Sequence, residues 1–307
     1  MTLQQLRYVV AVAEKGTISE AAQELYLSQP SMTSAIRELE QELNLTIFNR
    51  TNRGVVPTRE GEQFLGYARQ VLDQVGLLEE KYTGKKPGKQ QFCVSTQHYS
   101  FAVDAFVDLI RSADSGEYDF HLRETQTYEI IEDVSHLRSE VGILYLNSFN
   151  EKILRRTLRE NDLRFERLFT ARPHVFVSSS SVLARKSSVT LKELEEHPYL
   201  SFEQGEHNSF YFSEEILSTL ERKKNIRVRD RATLFNLLIG LDGYTICSGV
   251  INEALNGRNI TAVPLEADDR MEIGCITHRR ILPGKLGTRY LEALRRHTQA
   301  FREEKTV

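Results

Sequence analysis

The chain has 307 residues, a formal net charge of −3, 40% hydrophobic residues and 27% charged residues. This composition is typical of a globular protein with two or three domains, and the slight acidity excludes a protein that coats nucleic acid through net charge alone. No early apolar stretch resembles a signal peptide, and no apolar run is long enough to span a membrane. We therefore expect a cytoplasmic protein that does not associate with membranes.

The three cysteines, Cys93, Cys247 and Cys275, are far apart in the sequence. They form no CxxC pair and have no nearby pair of histidines, so we expect neither a metal site nor a cofactor. An odd number of cysteines is compatible with a reducing compartment. A redox switch at Cys247 is an alternative, but it would require an exposed thiol with a lowered pKa, which the sequence does not show.

After a first predicted helix over 2–15, the segment 17–43 predicts two short helices joined by a tight turn. Apolar side chains recur on one face of the second helix with the helical period, at Met32, Ile36, Leu39 and Leu43. Its opposite face carries Pro30 and the polar side chains Thr33, Ser34 and Arg37, which can reach base edges or phosphates. Ser28 is a good N-cap for this helix. The pattern predicts a helix-turn-helix, and an ordinary helical hairpin in a protein core is the alternative.

Two short apolar pieces, 45–48 and 54–56, flank the polar segment 49–53. We interpret them as a β-hairpin wing with Arg50 and Arg53 at its tip, placed to meet phosphates or a minor groove. A solvated polar turn is the alternative interpretation.

Thr58 is predicted to cap a long helix that runs to about Tyr82. An apolar stripe with alternating spacings of three and four residues follows this helix at Leu65, Ala68, Leu72 and Val75 and continues to Tyr82. Glu79 interrupts the stripe, and Leu78 is expected to compensate for it. Such a stripe favours a dimer, which would place two reading helices on one DNA site; packing of the helix on its own domain is the alternative. Residues 83–90 have the composition of a linker.

From residue 91 strands and helices alternate, which is typical of parallel sheets flanked by helices, and the length favours two lobes. Candidate strands lie at 91–96, 118–124, 141–146, 173–178, 199–203, 226–230, 243–247, 260–265 and 272–278. Candidate helices lie at 100–111, 127–138, 150–160, 190–196, 208–222, 232–241, 249–256 and 286–303.

Polar side chains are concentrated after four of these strands, at the place where open α/β sheets bind ligands. Helix N-termini follow several of them, which favours an anionic group such as a carboxylate. For any single Ser or Thr, a helix cap or a turn is the alternative. The candidate ligand contacts are Ser95, Thr96, Gln97, His98, Ser100, Thr125, Gln126, Thr127, Tyr145, Phe202, Glu203, Gln204 and His207.

The first eighty residues resemble the LysR-type family of bacterial transcription regulators. The matching motifs are LQQLRYVVAVAEKGTISEAAQEL, LSQPSMTSAIRELEQEL and IFNRTNRGVVPTREGEQFL. Further along, GLDGYTICSG resembles a glycine-rich segment of the family's effector domain. The sequence departs from the usual family pattern at Val56-Pro57-Thr58 and at Tyr26, and neither departure threatens the resemblance.

The resemblance implies three parts: an N-terminal winged helix-turn-helix, a dimerising linker helix with a hinge, and a two-lobed α/β effector-binding domain like type II periplasmic binding proteins. These parts would cover 1–57, 58–90 and 91–303. The chain would cross between the lobes near residues 165 and 266. The lobes would comprise 91–165 with 267–303, and 166–266.

The resemblance also implies the partners of the protein. It would bind interrupted palindromes in double-stranded promoter DNA as a homodimer that assembles into a homotetramer, with a small effector in the cleft between the lobes. RNA polymerase is a further candidate partner. The positions that match DNA contacts of the family are Gln29, Pro30, Ser31, Thr33, Ser34 and Arg37, with Arg50 and Arg53 from the wing.

A narrower resemblance is to a Gram-positive subgroup that controls methionine and cysteine uptake and biosynthesis. It is carried by STQHYSFAVDAFV, RETQTYEIIEDV, RSEVGILYLNSFN, HNSFYFSEEIL and DRATLFNLLIGLDGYTI. It implies a small effector that is similar to an amino acid. Its amino group would contact Glu203 or Glu124, and its carboxylate would contact hydroxyls and helix-start N–H groups.

No GxSxG, HExxH, P-loop or GxGxxG motif occurs, and the histidines are scattered, so we predict no enzymatic activity and no catalytic residues. Two alternatives remain. An enzyme with a DNA-binding appendage would turn over a candidate metabolite. A constitutive DNA-bending protein with a vestigial cleft would give a footprint that no small molecule alters.

Overall fold

The structure is a computed structural model. It describes residues 1–51, 54–83, 90–113, 117–207, 209–252 and 257–302. Two compact units divide the chain: residues 1–90 with 136–138, and the remainder. Within the described residues, every helix is too short or too polar to cross a membrane.

The first unit begins with helices and a hairpin and ends with a long helix. Its elements are α1 (Leu3–Lys15), α2 (Ile18–Glu24), α3 (Gln29–Leu43), β1 (Phe48–Thr51), β2 (Gly54–Pro57) and α4 (Arg59–Thr83). The side-chain oxygens of Thr17 and Ser28 accept hydrogen bonds from the backbone N–H groups of Glu20 and Ser31, each at 3.2 Å. These N-caps satisfy N–H groups that the helices leave without an internal partner.

The buried face of α3 joins α1 and α2 in one apolar core. Met32, Ile36 and Leu39 are at most 5% exposed, and Ala21 and Ala22 of α2 belong to the same cluster. Small side chains at these two positions let α2 and α3 approach closely. The predicted helix-turn-helix is confirmed.

The wing formed by β1 and β2 is tied to the helices beside it. The Glu40 carboxylate on α3 accepts the backbone N–H of Ile47 at 2.6 Å. Gly54 has φ 134° and lies so close to α1 that a Cβ there would be 2.3 Å from the Gly16 carbonyl oxygen. The same carbonyl accepts the N–H of Val55 at 2.8 Å. These contacts set the position of the wing beside the helix-turn-helix.

The second unit alternates strands and helices. Its elements, in chain order, are β3 (Gln90–Thr96), α5 (Ser100–Arg111), β4 (Tyr118–Glu124), α6 (Thr127–Ser135), β5 (Val141–Leu146), α7 (Glu151–Glu160), β6 (Leu163–Ala171), β7 (His174–Ser178), α8 (Leu191–Leu194), β8 (Tyr199–Phe202), β9 (Asn225–Val228), α9 (Arg231–Gly240), β10 (Tyr244–Cys247), β11 (Ile260–Pro264), β12 (Met271–His278), α10 (Lys285–His297) and α11 (Gln299–Arg302).

Over the described residues, these strands form two five-stranded sheets, which define lobe 1 (β4-β3-β5-β12-β6) and lobe 2 (β11-β7-β10-β8-β9). β3 and β5 are parallel, as are β8 and β9. However, β12 runs antiparallel to β5 and β6, and β7 runs antiparallel to β10 and β11. The expectation of parallel sheets is therefore wrong in this respect, since β12 enters lobe 1 from lobe 2 and not through a helical crossover from a neighbouring strand.

The chain passes between the lobes twice. It leaves lobe 1 between Ala171 and His174, and it returns between Pro264 and Met271. The first passage lies beyond the expected position near residue 165 because β6 pairs with β12 along its whole length, through Ala171. Residues 166–171 therefore belong to lobe 1 and not, as expected, to lobe 2.

The segment 208–222, expected to be a helix, is irregular over the residues described, 209–222. A short 3-10 turn at Phe210–Phe212 is followed by bends and turns. Leu217 has φ 57°, a left-handed conformation that does not continue an α-helix. This backbone buries Glu214 and Glu215, which are 8% and 3% exposed. The expected helix over 249–256 falls largely on 253–256, outside the described residues.

Candidate nucleic-acid interface and ligand cavity

The face of α3 opposite its buried residues is exposed and largely polar. Thr33 is half-buried, and the exposed positions are Gln29, Pro30, Ser31, Ser34 and Arg37. Pro30 occupies the first turn, where its missing N–H removes no helical hydrogen bond. This face presents amide, hydroxyl and guanidinium groups, which are the side-chain types that contact base edges and phosphates.

Two hydroxyls on this face are already oriented by neighbours. Ser31 Oγ lies 2.7 Å from Ser28 Oγ, and Ser34 Oγ donates to Glu38 at 3.1 Å. Each oxygen keeps lone pairs that can accept a hydrogen bond from a base. Tyr26, in the turn between α2 and α3, is 96% exposed and has φ 55°. The sequence analysis noted it only as a departure from a pattern, yet it places a phenol beside the start of α3.

The wing contributes one arginine that the structure describes. Arg50 is exposed on β1, opposite Val55 on β2. Arg53, the second predicted wing contact, lies outside the described residues. α3 and the wing belong to one unit, so Arg37 and Arg50 are carried by a single packed body.

The first part of the apolar stripe on α4 is buried, and its later part is exposed. The Thr58 hydroxyl caps the helix by accepting the Gly61 N–H at 2.8 Å. Leu65 and Ala68 are each only 2% exposed, and Leu65 belongs to the core of the first unit. Leu72 and Val75 are half-buried. The large apolar side chains exposed further along the helix are Val71, Leu78 and Tyr82, at 44%, 59% and 74%.

Between the two lobes of the second unit lies a cavity with about 520 Å³ of empty space, part of it open to solvent. Ionisable side chains in its wall include His98, Glu214, Glu215 and Arg231. The rest of the lining is mainly aromatic or aliphatic: Tyr99, Phe176, Phe202, Leu234, Phe235, Thr245, Ile246, Cys247, Ser248, Val250 and Met271. This mixture of apolar walls and a few convergent polar groups is typical of small-molecule sites.

Charged side chains bridge the lobes at this cavity. His98 Nδ1 lies 2.8 Å from Glu214 Oε2, and the guanidinium of Arg231 donates to the Glu124 carboxylate. The His98 ring also stacks on Phe202, with 3.6 Å between the ring centroids. Burial lowers the pKa of His98, but the adjacent Glu214 carboxylate outweighs burial and leaves that pKa above its usual value.

Glu215 lies beside this bridge in a more apolar setting. One of its carboxyl oxygens accepts the Phe202 N–H at 2.8 Å. Burial, together with the charge of Glu214, raises the pKa of Glu215 to about 8. Its side chain is therefore mostly protonated at neutral pH. In the described part of the chain, neither Oε1 of Glu214 nor Nε of Arg231 has a hydrogen-bond partner, although both atoms are buried.

Of the predicted ligand contacts, only His98 and Phe202 line the cavity. Several others are used inside lobe 1. Ser95 donates to Asp133 at 2.6 Å, Thr96 donates to the Gln97 carbonyl at 2.7 Å, and Gln97 donates to Thr127 at 2.6 Å. These three polar side chains therefore form hydrogen bonds within lobe 1 and do not line the cavity.

The remaining predicted contacts lie in three other places. Tyr145 is buried in the core of the second unit, and the Thr125 hydroxyl donates to Glu129. Several others make contacts between the lobes. The Ser100 hydroxyl donates to the Val250 carbonyl oxygen at 3.5 Å, and the Thr127 N–H donates to Gln204 at 3.2 Å. Gln126 lies against Gly205, and His207 stacks on Tyr128. Glu203 is paired with Arg229, and its side chain is 30% exposed. The two acids expected to hold an amino group, Glu203 and Glu124, are thus each paired with an arginine.

The sequence analysis missed Glu214, Glu215 and Arg231. Glu214 and Glu215 follow the aromatic run FYFS and precede Ile and Leu, and two acids within an apolar run are a signal of buried carboxyls. Cys247 also lies in the cavity wall, where burial raises the pKa of its thiol to about 12. The thiolate that redox chemistry requires is therefore disfavoured. Throughout the described ranges, no group of three His, Cys, Asp or Glu side chains is placed to hold a metal ion.

Two family models match the chain. Residues 3–62 match the bacterial regulatory helix-turn-helix protein, lysR family, and residues 113–299 match the LysR substrate binding domain. Over 224 residues the chain is 30% identical to the uncharacterized HTH-type transcriptional regulator YnfL of Escherichia coli (strain K12), covering 72% of this chain and 71% of that protein.

Solved structures share the fold. A full-length OxyR variant from Pseudomonas aeruginosa covers 100% of this chain and 99% of its own, with 19% identity and a TM-score of 0.66. Full-length CbnR complexed with its target DNA covers 97% of this chain and 100% of its own, with 20% identity and a TM-score of 0.55. At these identities the structures show the fold alone.

Proposed function

Because the chain belongs to the LysR family of DNA-binding transcriptional regulators with an effector-binding domain, we propose that α3 reads a promoter sequence and that a small metabolite in the interlobe cavity gates this binding. The observation that carries the proposal is the division of α3 into two faces. Met32, Ile36 and Leu39 anchor the helix in the core, and Arg37 projects from the exposed face.

The proposed DNA contacts are those of α3 and the wing: Gln29, Pro30, Ser31, Thr33, Ser34, Arg37 and Arg50, with Arg53 by its sequence position. Arg37 is the best candidate for base reading, since a guanidinium can bond both acceptors of a guanine in the major groove. A dimer would present two such helices to an interrupted palindrome.

We assign dimerisation to the exposed stripe of α4. Val71, Leu78 and Tyr82 follow one another at i, i+7 and i+11, which places them on one face of the helix. Burial of this face against a second copy would remove apolar surface from water and contribute to association. Two dimers would assemble into the tetramer through other surfaces.

Gating follows from the position of the cavity between two lobes. A ligand that contacts both His98 in lobe 1 and Arg231 in lobe 2 binds best in one arrangement of the lobes. A difference of about 1–3 kcal/mol between arrangements is enough for typical allosteric control. The resemblance to the methionine and cysteine subgroup supports sulfur amino acids and their precursors as the first metabolites to test.

The test measures DNA binding by fluorescence anisotropy, with DNA from upstream of the protein's own gene and a scrambled duplex of equal length. Arg37→Ala should weaken binding to the upstream DNA by about 1–3 kcal/mol and leave the scrambled duplex less affected. Arg227→Ala, which removes the same charge from an exposed position on β9, should leave both affinities unchanged.

Equal losses on the two duplexes would assign Arg37 to phosphate contacts. A wild-type protein that does not distinguish the duplexes would refute the proposal. Sulfur amino acids and their precursors are then screened for compounds that raise the melting temperature of the protein. DNA footprints are recorded with and without each compound that does so. A footprint that none of them alters would favour the constitutive DNA-bending protein.

A further inference from the structure

Both acids and bases surround the interlobe cavity. The acids are Glu124, Glu214 and Glu215, and the bases facing them are Arg231 and His98. Arg231 is engaged with Glu124, which sits at the end of β4. Carboxylates and bases that pair with one another can be purely structural, so these pairs alone do not indicate a ligand.

Glu214 supplies that observation. Its Oε2 lies 2.8 Å from His98 Nδ1 and accepts the His98 backbone N–H at 3.2 Å. Its Oε1 is buried and has no hydrogen-bond partner among the residues that the structure describes. The residue is only 8% exposed, and it lines the cavity. A buried carboxylate oxygen without a partner destabilises the protein, and a donor from a ligand would remove this penalty.

The walls around Glu214 indicate the rest of the ligand. Phe176, Phe202 and Phe235 line the same cavity, with Leu234 beside them. Aromatic faces attract cations, and apolar walls favour a hydrocarbon group over water. A carboxylate without an amine would provide no donor for Glu214 Oε1 and would leave this oxygen without a partner.

We propose that the interlobe cavity binds a small organic ammonium ion, whose N–H group donates to Glu214 Oε1 while its hydrocarbon part packs against the aromatic wall. This inference rests on the proposed function, because it names the chemical class of the metabolite that would gate the regulator. It also replaces Glu203 and Glu124, which have arginine partners, with Glu214 as the carboxylate that receives the amino group.

The test uses three probes that share one branched hydrocarbon group: 3-methylbutylammonium, 3-methylbutan-1-ol and 4-methylpentanoate. Binding of each to the full chain is measured by isothermal titration calorimetry at pH 7. The ammonium ion should bind at least about tenfold more tightly than the alcohol, because a charge-assisted hydrogen bond is roughly twice as strong as a neutral one. The carboxylate should bind more weakly than both.

Glu214→Gln should reduce the affinity for the ammonium ion about tenfold and leave that for the alcohol unchanged. Glu195→Gln makes the same charge change on an exposed side chain of lobe 2 and should alter neither affinity. The inference is overturned if the alcohol or the carboxylate binds as tightly as the ammonium ion, or if Glu214→Gln binds the ammonium ion like the wild type. If Glu214→Gln does not fold, the three probes on the wild type still decide.

DNA binding is measured on the same samples, so the two proposals can fail separately. A protein that binds the ammonium ion but does not distinguish upstream from scrambled DNA would refute the proposed function and leave the ligand class standing. A protein that binds the upstream DNA but prefers the alcohol or the carboxylate would refute the ligand class alone.

Discussion

Glu215 makes the second unit sensitive to pH, and Glu215→Gln should remove this sensitivity. The pKa of Glu215 is about 8 in the folded protein, against 4.5 for an ordinary glutamate. Between these pH values the folded chain binds more protons at this residue than the unfolded chain does. Its contribution to stability is therefore largest below pH 4.5, falls as the pH rises towards 8, and stays constant above that.

The size of the effect follows from the two pKa values. One pKa unit corresponds to about 1.4 kcal/mol, so the difference between 4.5 and about 8 amounts to roughly 4–5 kcal/mol. Relaxation around the buried charge reduces this value, and we expect about 2–4 kcal/mol. Glutamine keeps an oxygen that can accept the Phe202 N–H and carries no charge. Above pH 8 the variant should be more stable than the wild type, and near pH 5 the two should be similar.

The assay is urea unfolding followed by far-UV circular dichroism at pH 5, 7 and 9, because the chain has no tryptophan to report by fluorescence. Glu195→Gln, at an exposed position, is the control and should follow the wild type at every pH. If Glu215→Gln and the wild type lose stability equally between pH 5 and pH 9, then Glu215 is not the group that titrates, and the reasoning from its burial is wrong.

Three other substitutions test the first unit. Leu78→Asp places a charge on the exposed stripe of α4 and should dissociate the dimer. An unchanged sedimentation coefficient would reject this interface. The control is Leu282→Asp, at a side chain that is 74% exposed in the second unit. Gly54→Ala puts a Cβ 2.3 Å from the Gly16 carbonyl oxygen and should lower the free energy of unfolding by about 1–3 kcal/mol, as measured by urea unfolding. Gly76→Ala meets nothing within 4 Å and should stabilise the protein by about 0.5–1 kcal/mol, so equal effects of the two glycine substitutions would contradict the contact.

The helix-turn-helix was predictable because its signals are local. Ser28 caps α3, Pro30 lies in its first turn, and the spacing of Met32, Ile36 and Leu39 identifies the buried face. A helix repeats every 3.6 residues, so the side that an apolar stripe buries also determines which side remains for DNA. Arg37 is exposed for this reason alone.

The same reasoning was only partly right for α4. The apolar stripe lies on a helix as predicted, but the sequence did not show that the first part of the stripe packs against its own unit. Leu65 packs into the core of its own unit, whereas Val71, Leu78 and Tyr82 are exposed. Periodicity indicates that a face is apolar. It contains no information about whether the covering surface comes from the same chain or from a second copy.

The cavity shows the limit of sequence reasoning most clearly. The segment with Glu214 and Glu215 was expected to be a helix, but Leu217 adopts a left-handed conformation and both carboxyls are buried. Ser95, an apparent ligand contact, is instead bonded to Asp133 inside lobe 1.

The sequence by itself therefore determined the family and the exposed face of α3, because each depends on residues close together in the chain. Only the tertiary structure decided which polar groups face the cavity. Glu214 meets His98 across 116 positions of sequence, and hydrogen bonds between such distant residues form only when the two lobes pack together.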